Sequence, residues 1–178
     1  MTCELLFDRI ILLALTGGES MFKIGDKIVY PMHGAGVIES IEDKEILGER
    51  RSYYVLRIPM GEMKVMVPIS NVESVGLRKI IGVEEVGEVF GVLQQKDSPM
   101  SGNWNRRYRS NMEKIKSGNV YELAEVVRNL AARDKEKGLS TGEKKMLDNA
   151  RQILLSELVL VKGEQEDDIK ELLQKYLA

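Results

Sequence analysis

Two hydrophobic periods divide this chain. From Phe22 to Leu77 the apolar residues fall in short runs rich in β-branched and aromatic side chains, interrupted by glycine and proline every few positions. That is the signature of strands joined by tight turns. The runs Ile24 to Tyr30, Val37 to Ile41, Tyr53 to Ile58 and Met63 to Val67 predict four strands, and a short piece from Val72 to Val75 is expected to close the sheet. Pro31 to Gly36 reads as a loop, because proline removes a donor and the glycines permit positive φ. Glu42 to Arg51 is charged, with Gly48 as the expected hairpin tip. Strands of about five residues separated by tight turns predict a small barrel.

From about Gly82 the period becomes helical. Val83, Val86, Val89, Phe90 and Leu93 share one face, and that helix ends before Asp97-Ser-Pro99. A second helix is expected from Asn103 to Lys116, and a third capped by Asn119 and stopped by Gly138. A fourth opens on the capping box Ser140-Thr-Gly-Glu143 and carries the stripe Met146, Leu147, Ala150, Ile153, Leu154 and Leu158. Gly163 breaks it, and a short acidic helix through Ile169, Leu172, Leu173 and Tyr176 follows. The short link between the third and fourth predicts that they pack against each other. The expected fold class is therefore α+β: a small β-barrel over 21–78, followed by an all-helical bundle over 82–178.

The first twenty residues stand apart. Leu5 to Leu15 is apolar but interrupted by Asp8 and Arg9, and the unbroken part, Ile10 to Leu15, is too short to span a bilayer. No basic region or small-residue cleavage site marks a signal peptide. The expectation is that translation starts at Met21 and that 1–20 is a non-native or disordered extension. The alternative is an apolar arm that packs on the domain or on a partner. One cysteine, Cys3, excludes an internal disulfide and a cysteine-rich zinc site, and one histidine, His33, excludes paired-histidine metal motifs. Both fit a reducing cytoplasm.

No catalytic constellation emerges. Gly34-Ala-Gly36 lacks the third glycine and the following helix of a dinucleotide fingerprint. No phosphate-binding loop or nucleophile elbow is present, and the carboxylates lie among lysines at surface helical spacing. His33, in a glycine loop, is expected to stabilise its turn by a hydrogen bond. The chain reads as a non-enzyme without cofactor or metal.

Charge changes the picture at one place. From Ser101 to Gly118 five basic residues, Arg106, Arg107, Arg109, Lys114 and Lys116, stand against the single acid Glu113, while the whole chain carries a net charge of −2. The only tryptophan, Trp104, sits at the edge of this island. The bland reading is a solvated helix face with an indole plugging the core. The functional one is a nucleic-acid patch, where arginines hold phosphates and the indole stacks on or wedges against a base. A tryptophan in a helix's first turn, beside a Ser-Pro-Met-Ser-Gly loop, is poorly placed for a deep core. Backbone N–H groups at that helix start also favour phosphate. Roughly three to five phosphate contacts would give micromolar-range, salt-sensitive affinity. A second anchor is then needed, and the β-unit, with exposed edges able to dock partner strands, is the candidate.

The stretch Phe22-Lys-Ile-Gly-Asp-Lys-Ile-Val-Tyr-Pro-Met-His-Gly-Ala-Gly36 resembles the start of the CarD family of bacterial transcription regulators, also called CdnL, whose N-terminal module is shared with transcription-repair coupling factor. The resemblance continues through Asn103-Trp-Asn-Arg-Arg-Tyr-Arg109, Ala124-Glu-Val-Val-Arg-Asn-Leu130, Gly138-Leu-Ser-Thr-Gly-Glu-Lys-Lys-Met-Leu147 and Ala150-Arg-Gln-Ile-Leu154. It implies a Tudor-like or SH3-like β-domain that binds the RNA polymerase β subunit, and a helical domain that contacts promoter DNA at the upstream edge of the melted bubble. The family's wedge tryptophan falls on Trp104, and its phosphate-contacting residues fall on Arg106, Arg107, Arg109 and Lys144. Its polymerase-contacting positions fall on Lys44, Ile46 and Met66, with lysine and methionine at two places where relatives carry arginine; Lys64 and Arg57 are candidate substitutes. The resemblance further implies a cytoplasmic, nucleoid-associated monomer that opens no route to a membrane. The rival reading is a protein-interaction adaptor whose helical part is a dimerisation bundle with Trp104 in the interface.

Overall fold

The computed structural model describes residues 21–96 and 98–177; the expected N-terminal extension lies outside them. Five strands, β1 (Lys27–Tyr30), β2 (Gly34–Ile46), β3 (Glu49–Ile58), β4 (Met63–Pro68) and β5 (Arg78–Lys79), form one antiparallel sheet in the order β4-β3-β2-β1-β5. The first four follow the expected runs, with two corrections. The charged stretch from Glu42 is strand rather than connection, because β2 and β3 stay paired down to Ile46 opposite Glu49. Cross-strand bonds between Asp43 and both Arg50 and Ser52 hold this ladder, so charge does not interrupt it. A two-residue loop, Leu47-Gly48, closes it with both residues at positive φ. The closing strand is not Val72 to Val75. After a single 3-10 turn over Ile69–Asn71 the chain bends back, and Arg78–Lys79 pairs with β1 instead. Phe22, Ile28, Ile38, Tyr54, Leu56, Val67, Val72 and Leu77 make the inner core of this unit.

Five helices follow: α1 (Val86–Gln94), α2 (Trp104–Lys116), α3 (Val120–Lys137), α4 (Thr141–Lys162) and α5 (Glu166–Leu177). Their ends match the capping chemistry of the sequence. Asn103, Asn119 and Ser140 accept backbone N–H groups at the starts of α2, α3 and α4, and Gly138 and Gly163 end α3 and α4 at positive φ. Val83 departs from the expected apolar face: it lies in a 3-10 turn before α1 and is exposed, so burial begins at Val86. The helical core runs through Val89, Leu123, Val127, Leu130, Leu154, Leu158 and Ile169.

Helix α4 joins the two parts. Ser156 Oγ accepts the Ala35 N–H at 2.8 Å and donates to the Ile153 carbonyl at 2.7 Å. Gly34, at φ +107°, makes this approach possible, since a Cβ there would lie 2.8 Å from Ser156 Oγ. The next residue, Glu157, is fully buried and takes both terminal nitrogens of Arg78, at 2.6 and 2.8 Å, together with the Ile81 N–H at 3.1 Å. Arg78 Nε donates in turn to the Gly118 carbonyl. Lys27 Nζ reaches the Leu160 carbonyl at 2.8 Å. The sheet is thus tied to the helical bundle by a bidentate ion pair whose carboxylate is fully buried.

Candidate nucleic-acid interface

Trp104 is the first residue of α2, after the Asn103 cap whose side chain accepts the Arg106 N–H. Its ring is 43% exposed and is no core plug. Its Nε1–H donates to Ser140 Oγ at 3.0 Å, and its face stacks on Tyr108, one turn along α2, at 5.2 Å between centroids and 28° between planes. A Cβ on Gly142 would lie 3.6 Å from the indole, so the ring rests on the first turn of α4. One edge and one face of the indole are therefore held while the remainder faces solvent.

The basic residues divide around this ring. Arg106 and Arg109 are exposed and line one open concavity with Asn103, Asn105, Ser110 and Glu113. Neither forms an ion pair among the described residues. Lys144 is exposed on the first turn of α4, two residues beyond Gly142. Lys114 is committed to Glu125 at 2.8 Å. Arg107 corrects the expectation placed on it. It is 4% exposed, its Nε donates to Glu143 Oε1 at 2.6 Å, and one terminal nitrogen donates to the Ser101 carbonyl at 2.7 Å. The reason is helical phase: about 100° per residue turns the side chain after Arg106 toward α4. A buried carboxylate there requires a counter-ion. Arg107 builds the platform for the indole and has no surface from which to reach a phosphate.

Glu143 is the centre of that platform. Burial pushes its carboxyl up, but the Arg107 hydrogen bond and those from the Ser140 hydroxyl and N–H outweigh it, and the group stays below the usual carboxylate range. With the folded value depressed, the ionised carboxylate stabilises the fold above the unfolded-state value near 4.3, and this contribution is lost as pH falls through the folded value. Because Trp104 is the only tryptophan, its fluorescence reads the event. An acid titration should show an emission change below about pH 4.3, and Glu143→Gln should remove it. An unaltered acid transition in the variant would mean that another group governs the indole's surroundings.

On the sheet, Lys44 and Met66 come together, but Ile46 does not join them. Lys44 on β2 reaches across β3, with Nζ 3.4 Å from Met66 Sδ on β4 and 3.3 Å from Glu42. Ile46 is half exposed at the last rung of the β2–β3 ladder, opposite Glu49 and beyond the part of β3 that pairs with β4. The register sets Tyr53 and Val55 on this same face, opposite Glu42 and Met66, and both are buried. The Ser40 hydrogen bond, and next to it Lys44, hold the Glu42 carboxyl below its usual range. Lys64 is paired with Glu39 at 2.7 Å, whereas Arg57 is exposed. β4 is an edge strand, so one side of its backbone is open to a partner. His33 does not stabilise its turn through the ring: its backbone N–H closes the turn on the Tyr30 carbonyl, and the exposed ring packs against Tyr30 at 4.5 Å.

Sequence reasoning missed Ser140 and Tyr108 as supports of the indole. The capping box was the available signal, because a side chain that caps α4 is fixed in space and offers a lone pair. Among the described residues no group of three or more histidines, cysteines or acids is placed to hold a metal ion, and no helix is long and apolar enough to cross a membrane.

Comparison with known proteins agrees with this layout. The sequence pattern described as the CarD-like/TRCF RID domain matches residues 22–81, and that of the CarD C-terminal domain matches residues 88–174. A relative in Bacillus subtilis (strain 168), "Putative transcription factor YdeB", is 47% identical over 150 residues, covering 84% of this chain and 98% of its own. Among solved structures, the N-terminal domain of Myxococcus xanthus CarD is 30% identical and covers 35% of this chain and 84% of that one, with a TM-score of 0.30. CdnLNt from the same organism is 49% identical and covers 36% and 90%, also with a TM-score of 0.30. With both halves matched in order, and a relative of this identity aligned along nearly its full length, the chain belongs to the CarD family.

Proposed function

We propose that this protein is a non-enzymatic transcription regulator that grips the RNA polymerase β subunit with its sheet and stabilises the open promoter complex with its helical part. The sheet face around Lys44, Ile46 and Met66, next to the open edge of β4, is the polymerase contact. Trp104 enters the minor groove at the upstream edge of the bubble, and Arg106, Arg109 and Lys144 hold flanking phosphates. The protein works as a monomer in the cytoplasm, carried to the nucleoid by the polymerase. The observation that carries this reading is the exposed indole, pre-oriented by Ser140 and Tyr108 beside two arginines without ion-pair partners among the described residues.

The mechanism is differential binding. A ligand shifts an equilibrium only by the amount that it binds one state better. A flat, held ring meets an unstacked base step better than a closed duplex, and so favours the open state. Tethering to polymerase raises the effective concentration of the wedge at the fork and offsets a weak intrinsic affinity for DNA. Ordering the ring beforehand removes part of the entropy lost on insertion.

The charge component is measurable separately. For the double variant Arg106→Gln, Arg109→Gln, the slope of log affinity against log salt on promoter DNA should flatten by about 0.9 per lost contact. Arg107→Lys should leave that slope unchanged. Equal slopes for the wild type and the double variant would remove these two arginines from the DNA contact.

A further inference from the structure

The tip of the β2–β3 hairpin contains an unexplained combination. Leu47 has φ +55°, in the left-handed region that glycine and asparagine tolerate and that costs a larger side chain conformational energy. Two-residue hairpin loops favour Asn-Gly for this reason, yet this loop is Leu-Gly. The side chain recovers nothing in return, since it is 100% exposed and packs on nothing. Among the described residues the other two non-glycine residues at positive φ differ. Met32 packs against the helical core, and Glu62 is a polar residue in a surface turn. Strain at an exposed apolar side chain, without compensation inside the fold, points outward to a binding role.

The surrounding hairpin suits that role. Its two strands remain paired to the residue on either side of the loop, and Asp43–Arg50, Glu49–Arg51 and Asp43–Ser52 contacts brace it. The leucine is therefore presented on a stiff arm and loses little freedom when buried. It is also continuous with the proposed polymerase surface, because Ile46, half exposed, is its neighbour and Lys44 lies two residues further along the same strand.

We propose that Leu47 is an anchor residue of the polymerase contact, inserted into an apolar socket on the RNA polymerase β subunit. This rests on the reading of the sheet as the polymerase-binding surface. The tip supplies a small apolar plug, and the exposed charged residues next to it, Glu45, Glu49 and Arg50, supply a polar rim.

The test sets stability against binding. Leu47→Asn gives the loop a residue at ease in its conformation. Its thermal midpoint should match or exceed that of the wild-type protein, while its affinity for RNA polymerase falls roughly ten- to a hundredfold, the effect of losing one buried leucine side chain. Leu47→Met, which keeps the apolar reach, should retain most of the affinity. Wild-type affinity in Leu47→Asn overturns the proposal, as does an equal loss in both variants. Lys44→Glu serves as the reference. If it weakens binding and Leu47→Asn does not, the anchor assignment fails and the sheet reading stands. If neither change alters polymerase binding, the sheet reading fails as well.

Discussion

Trp104→Ala should leave polymerase binding unchanged and shorten the lifetime of the open promoter complex by roughly ten- to a hundredfold. The size follows from stacking: an aromatic side chain on a base contributes about 1–3 kcal/mol, and each 1.4 kcal/mol is a factor of ten. The substitution is a clean probe because the ring lies outside both hydrophobic cores and the Asn103 cap of α2 is independent of it. The indole N–H to Ser140 bond is solvent-exposed, and its loss should cost the fold only about 1 kcal/mol. Trp104→Phe should recover part of the lifetime, since it keeps a stacking face on Tyr108 but not the bond to Ser140. Lifetimes are read by challenging preformed complexes with a competitor and following their decay. A Trp104→Ala complex that decays at the wild-type rate would eliminate the wedge.

The second large effect lies far from the indole. Arg78→Met should destabilise the protein by about 3–5 kcal/mol in urea denaturation, the usual cost of leaving a buried charge without its partner. Glu157 has no exposed surface, and Arg78 supplies two of the three donors that hold its carboxylate. The double variant Arg78→Met, Glu157→Leu should recover much of the loss, because replacing both members of a buried pair by apolar groups is often near neutral. A single-variant loss below about 1 kcal/mol would mean that water reaches the pair and screens it. The consequence extends to function. The proposed polymerase surface is on the sheet and the proposed wedge is on α2, and both are registered through α4. Loosening that joint should therefore lower the concentration of indole at the fork without touching a proposed contact residue. The double variant, stable but joined differently, should therefore separate folding from open-complex lifetime.

The same feature marks the limit of reading the chain alone. The short β-branched and aromatic runs and the 3.6-period stripes carried the order of strands and helices, and the capping residues Asn103, Asn119, Ser140, Gly138 and Gly163 marked helix ends because capping is chemistry between near neighbours. The hairpin was harder. Its charges suggested a loop, but paired across a ladder they favour strand, and pairing is a long-range fact. The Val72 segment failed for a related reason: its apolar residues serve the core from a turn, and local propensity cannot tell that from a strand.

The candidate site divides in the same way. Composition and charge marked the island around Trp104, and helical spacing linked Arg106 to Arg109. Nothing local distinguished Arg107 from its neighbours, since a guanidinium becomes structural only when a carboxylate 36 residues away is folded against it. The sequence by itself determined the two periods, the helix boundaries, the family and the place of the lone indole, because each is written in residues close together along the chain. Tertiary structure alone decided which arginine is buried, what steadies the indole, and how the sheet is oriented to the bundle, because Glu143, Ser140 and Glu157 act through desolvation and hydrogen bonds that exist only once distant segments meet.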